Sequence, residues 1–190
     1  MRLCSFSSNN LSSSVVAQSV GQLISDLKRQ GKKIVLTSGT FDLFHIGHAQ
    51  YLQKAKDLGD VLIVGLDSDA KVKKRKGPDR PIVSEDERSA ILSFVRPVDF
   101  IVLKDLEDGP MELIKTVKPD ILVISKTTKH SNEKVDKMRS FCGHIHVLEA
   151  QSTTSTTAKV RRLFVDGAKK FAENLAPKLE KLLQEEIHNL

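Results

Sequence analysis

"KIVLTSGTFDLFHIGHAQYLQKAKDLGDVLIVGLDSD", residues 33 to 69, is the stretch on which the fold turns. An apolar, β-branched run, KIVLTS, gives way to a glycine-marked turn, then to HAQYLQKAKDLG with a helical period, then to a second apolar run, VLIVGL. Neither apolar run alternates with polar residues, which is the pattern of strands covered on both faces of a parallel sheet. The stretch therefore predicts a strand, a crossover helix and a second parallel strand.

Working outward, DFIVL, DILVIS and HIHVLE are further short runs rich in β-branched residues, most of the runs being apolar throughout. Between them SEDERSAILSFVR, GPMELIKTVKP and NEKVDKMRSF have helical period, and Ser84 and Glu87 are spaced as a capping box. Upstream, Val16, Val20, Leu23, Ile24 and Leu27 fall at helical spacing and end at Gly31. This alternation predicts an α/β domain, a Rossmann-like doubly wound parallel sheet with a C-terminal helical extension. Ligands of such sheets bind at the carboxyl ends of the strands. From about Thr157 the chain reads as helix, with Gly167 and Pro177 expected to break or kink it. The expected organisation is a flexible leader at 1–12, a domain with its N-terminal helix at 13–162, and a helical extension at 163–190.

Of 190 residues, 39% are hydrophobic and 28% charged, as in a globular protein. No apolar run reaches the roughly 20 residues needed to cross a bilayer, so no membrane partner is expected. Cys4 and Cys142 form no CxxC pair, which argues against a zinc knuckle or a disulfide framework and favours a reducing, cytoplasmic setting. The Ser-rich start carries one Arg and no continuous apolar stretch, so it is read as a leader rather than an import signal. Net charge is +6, which suits an anionic ligand.

The turn GTFDLFHIG lies where the first strand ends and a helix begins, where unpaired amides and the helix dipole attract anions. Gly39 and Gly47 let a phosphate approach the backbone, and His45 and His48 could each donate an N–H to it. Taken alone the two imidazoles could also be core and surface residues. They could equally share a metal, although no third ligand is spaced for it. After the second strand, KVKKRKGPDRPIV is read as a basic linker on the same edge, and Arg88, one turn into the next helix, could reach that edge. No aromatic residues interleave with the basic ones, which weighs against single-stranded nucleic acid as a partner. The hydroxyl-rich AQSTTSTTAKV fits a helix cap, and such a cap also presents amides and hydroxyls to an anion.

These residues resemble the HIGH-motif nucleotidyltransferases of the cytidylyltransferase-like family, over roughly residues 33 to 162. GTFDLFHIGH matches that family's first motif in full, VGLDSD resembles the segment after the second strand, and KKRKGPDRP resembles the lysine loop. SEDERSAIL resembles the helix carrying the family's arginine, and STTAKV the final motif. KRKGPDRPI looks most like the adenylyltransferases that act on heptose 1-phosphate. Glycerol-3-phosphate cytidylyltransferases and FAD synthetases are similar, and a non-catalytic nucleotide-binding protein is the alternative from another class. VISKTTKHSNEKV departs from its relatives, which carry a Gly/Asp-rich turn there.

The resemblance implies transfer of a nucleotidyl group from a nucleoside triphosphate, with Mg²⁺, to a phosphorylated small molecule, releasing pyrophosphate. It implies catalytic roles for His45, His48, Lys76 and Arg88. Gly39, Thr40, Phe41, Gly47, Asp69, Lys73, Ser155, Thr156 and Thr157 would bind the nucleotide. Asp42 and Lys126 would bind the acceptor, and no residue would be a metal ligand. Relatives are often dimers, so a homodimer is expected.

Overall fold

The computed structural model describes residues 2–3, 13–128, 131–149 and 156–188. Contacts divide the chain into two units, Met1–Thr153 and Thr154–Leu190. The first unit alternates strands and helices. It runs β1 (Arg2–Leu3), α1 (Ser13–Arg29), β2 (Ile34–Gly39), α2 (Ile46–Lys56), β3 (Val61–Asp67), α3 (Asp69–Lys76), α4 (Glu85–Ser93), β4 (Phe100–Lys104), α5 (Glu112–Val117), β5 (Ile121–Ser125), α6 (Asn132–Arg139) and β6 (His144–Leu148).

The strands form one sheet in the order β1-β4-β3-β2-β5-β6. β2 to β6 are parallel, with Ser38 opposite Gly65 and Val35 opposite Ile121. β1 pairs antiparallel with β4 through Arg2 and Leu103, so two residues of the expected leader extend the sheet edge. After β4 the chain crosses to the far side of β2 and continues as β5. The order therefore reverses between β2 and β5, the crevice where sheets of this Rossmann-like kind take their ligands.

Each strand feeds two cores because successive side chains point to opposite faces. Leu62, Val64 and Leu66 meet Leu52 and Ala55 of α2 and Leu92 of α4 on one face. Val61 and Ile63 meet Val20, Ile24, Leu113 and Val117 of α1 and α5 on the other. All seven residues of β3 are buried, so there was no solvent face to impose alternation on the sequence. Aspartates close the amino edge of the sheet: Ile34 N donates to Asp120 at 2.7 Å and Leu62 N to Asp99 at 2.6 Å.

Among the described residues the second unit is one helix, α7 (Thr156–His188), which runs through both Gly167 and Pro177 rather than breaking at either. The division between units falls at Thr153/Thr154, ahead of the expected 162/163.

Candidate active site

β2 ends at Gly39, and Thr40–His45 turns the chain into α2. A Cβ on Gly39 would sit 2.9 Å from the Phe41 ring, so glycine is what lets the ring fold back onto the strand end. Phe41 and Leu43 hold φ of 52° and 48°, a left-handed conformation that costs a non-glycine residue about 1 to 3 kcal/mol. The surroundings impose it. Phe41 and Asp42 are both buried. Asp42 accepts from Ile82 N and Val83 N at 3.1 Å and pairs with Arg80 at 3.0 Å. The first turn and the loop before α4 are thus held together through one carboxylate.

His45 is the N-cap of α2, with extended backbone, and its Nδ1 accepts from Gly47 N at 3.1 Å. A neutral imidazole has one donor and one acceptor nitrogen, so this cap leaves Nε2 as the N–H donor. His48 stacks on His45 with ring centroids 4.0 Å apart and planes 25° apart. Phe41 lies edge-on to His48 at 5.5 Å, and Phe44 is as close. The two imidazoles form one stacked unit at the mouth of α2.

The basic run is not a linker. It is α3, capped by Ser68, whose side chain accepts from Lys71 N. Its last turn carries Lys73, Lys74, Arg75 and Lys76, where cations oppose the negative end of the helix dipole. Arg75 donates to Thr40 Oγ1 at 2.7 Å and pairs with Asp67, at the end of β3, at 2.9 Å. Lys104 grips the other oxygen of Asp67 at 2.9 Å. Burial alone would push the Asp67 carboxyl up, but Lys104 and Arg75 outweigh it and hold the group below the usual carboxylate range. Packing around Lys76, and then the charges of Arg75 and Arg80, push its ammonium below the usual lysine range, with Asp42 and Asp67 pulling the other way. Lys71 is lowered mainly by burial and donates to the Asp105 and Asp108 carbonyls at 3.1 and 3.0 Å.

Arg88 is 1% exposed and lies inside the wall of the crevice rather than at its side. Its guanidinium donates to Val83 O at 2.9 Å, Thr40 O at 2.6 Å and Asp69 at 2.7 Å. It ties together the first turn, α3 and the loop before α4. Asp69 in turn donates its N–H to Glu85 at 2.6 Å.

Gly39, Thr40, Phe41, Asp42, His45, Gly47, His48, Asp69, Lys73, Lys76 and Arg88 therefore come from three segments meeting at the carboxyl edge of the sheet. Lys126 follows β5 on that edge and pairs with Glu149 at 2.6 Å on the surface. Lys129, His130 and Ser155 lie outside the described residues, and Thr156 and Thr157 open α7. Sequence reasoning gave no role to Asp67 or Lys104, and took Arg75 and Arg80 only as members of a basic run facing a polyphosphate. The signal for Asp67 was an acid closing an otherwise apolar strand. Tyr51 was missed as well: its hydroxyl pairs with Thr37 Oγ1 at 2.7 Å.

The family described as cytidylyltransferase-like matches residues 36–170. Among curated relatives, bifunctional protein HldE of a Nitratiruptor species is 48% identical over 141 residues, 74% of this chain and 30% of that protein. Bifunctional protein HldE of Campylobacter jejuni subsp. doylei is 58% identical over 102 residues, 54% of this chain and 22% of that protein. The chain thus spans less than a third of the length of these relatives. Among solved structures, the lipopolysaccharide core biosynthesis protein from Thermoplasma volcanium aligns with a TM-score of 0.55 and 29% identity, over 66% of this chain and all of that one. Pantoate-beta-alanine ligase from Francisella tularensis, 15% identical with a TM-score of 0.50 over 74% of this chain and 66% of that one, shares the fold.

Proposed function

This chain belongs to the cytidylyltransferase-like family and is a nucleotidyltransferase, and we propose that it moves an adenylyl group from ATP to a sugar 1-phosphate of the heptose type. One observation carries the reading of the site. Two imidazoles are stacked at the carboxyl end of β2, and the cap on Nδ1 commits the first to donating from Nε2.

A phosphate monoester has a second pKa near 6, so the acceptor arrives at neutral pH as an anionic nucleophile and needs no base. One acceptor oxygen bonds to the α-phosphorus while the bond from that phosphorus to the β-phosphate oxygen breaks, and pyrophosphate leaves. Charge grows on the α- and bridging oxygens, where His45 and His48 donate. Lys73 and Lys76 offset the charge of the leaving group. Arg88 and Asp42 act by holding the first turn and the loop before α4 in register. Asp67 and Asp69 are each held by cations and Asp42 by amides and Arg80. Among the described residues no three His, Cys, Asp or Glu side chains gather around a metal position. Magnesium would enter on the triphosphate, as part of the substrate.

The adenylyl and heptose choices rest on the likeness of KRKGPDRPI to that branch of the family. The test is a matrix of ATP and CTP against heptose 1-phosphate, glycerol 3-phosphate and a flavin phosphate, scored by pyrophosphate release. The expected best pair is ATP with the heptose phosphate. A preference for CTP with glycerol phosphate overturns the substrate choice, and nucleotide binding without release in any pair overturns the catalytic reading.

A further inference from the structure

We propose that the apolar stripe of α7 seats the same helix of a second copy of this chain, antiparallel and centred on Phe171. α7 has 33 residues and carries Gly167 and Pro177 in its interior, which cost an isolated helix about 1 and 3 kcal/mol. A helix that continues through both draws its stability from packing of an apolar face. That face is on display: Phe164 and Phe171 are 74% and 68% exposed, and Leu179 is half exposed.

The pattern of the stripe identifies its occupant. Val160, Phe164, Ala168, Phe171, Leu175 and Leu179 advance in steps of four, four and three, an 11-residue repeat that keeps one stripe on one side of a helix. Turned end for end, the stripe fits itself. Phe171 meets the partner's Phe171, Ala168 meets the partner's Leu175, and Phe164 meets the partner's Leu179. The large residues fall against small or aliphatic ones except at the central aromatic pair. Charge points the same way. Residues 156–171 hold five basic residues and one acidic, net +4, and residues 172–188 hold four acidic and two basic, net −2. Antiparallel pairing lays each basic half along an acidic one, whereas parallel pairing sets +4 against +4. The acidic half also disfavours an anionic lipid surface as the occupant.

The experiment is the mass of the full chain in solution at micromolar concentration, with orientation read by cross-linking. The wild-type chain is expected at twice its single-chain mass, and Phe171→Asp at the single-chain mass with a far-UV helical signal lowered by no more than the share of α7. In a Cys4→Ser, Cys142→Ser background, Ala168→Cys and Leu175→Cys chains each resist oxidation to a dimer alone and form a disulfide when mixed. A monomeric wild-type chain, whether its stripe then covers its own body or binds anionic vesicles, overturns the proposal. So does a disulfide formed readily by either single-cysteine chain, which is the signature of parallel pairing.

Discussion

At the scale of single residues, two side chains give sharp tests. In His48→Ala the stacked partner of His45 is lost, and with it, on the proposed mechanism, one donor to the charge that develops at the α-phosphate. Removing such a donor typically lowers turnover by about 10²- to 10³-fold. The expected result is a kcat reduced on that scale with a KM near that of the wild type, and turnover within a few-fold of wild type would remove His48 from the mechanism. Tyr51 is the single tyrosine in a chain without tryptophan, so its ionisation can be followed directly by phenolate absorbance. Burial pushes its hydroxyl up to about 12, against a smaller downward pull from its hydrogen bond with Thr37. The folded chain keeps this proton where the unfolded chain, near 10, loses it. Stability is therefore whole below pH 10 and declines as pH climbs toward 12. Tyr51→Phe is expected to remove that part of the alkaline decline, and a phenolate midpoint near 10 in the native protein would contradict the burial. The histidine pair was legible because its spacing and flanking glycine sit at a strand end. Arg88 was legible as a residue, but its place inside the wall was not, since sequence does not tell which cation a fold buries among carbonyls.

At the scale of elements, the two ends of the sheet do different work. Aspartates at the amino edge tie strand starts, while the carboxyl edge gathers the cations and imidazoles. β3 links the two through Gly65. A Cβ there would lie 2.5 Å from Leu113 Cδ2 and from Ser38 Oγ, and 2.9 Å from the Lys104 chain that grips Asp67. Leu113 is buried and has little room to yield. Gly65→Ala is thus expected to destabilise by about 1 to 3 kcal/mol, read as a lowered urea midpoint at unchanged slope. An unmoved midpoint would mean that β3 and α5 are not in close contact. Most of the parallel strands were readable from their unbroken apolar runs, and β6, HIHVL, from its β-branched residues alone. α3 was read as a linker because six of its eight residues are charged, and charge runs carry no apolar period. Its helicity comes from the Ser68 cap, the dipole and one buried residue, Val72. β1 was unreadable because two residues paired to an edge leave no pattern.

At the scale of the whole molecule, the parallel sheet and its crossover helices were legible because burial on two faces writes itself into the central strands, while β6, at the edge, is partly exposed. Charge placement was only half legible. The sum, +6, follows from composition, but its concentration at one edge of the sheet requires α3 to be a helix that ends there. Lys73, Lys74, Arg75 and Lys76 are exposed along that edge, next to the first turn to which Arg75 is bonded. A cationic rim of this kind raises the local concentration of a polyanionic substrate, and its reach shrinks as salt shortens the Debye length from about 30 Å at 0.01 M to about 8 Å at 0.15 M. On the proposed mechanism the donors to the reacting phosphate touch it directly and are screened far less. Raising ionic strength across that range is therefore expected to increase KM for the magnesium–nucleotide complex by about 10-fold while leaving kcat nearly constant. Lys74→Glu alters the rim without altering a contact of the first turn, so it should raise KM at low salt and flatten the salt dependence. Parallel losses of kcat and kcat/KM on adding salt would instead show that salt acts on the chemical step and that the exposed rim does not gather the substrate.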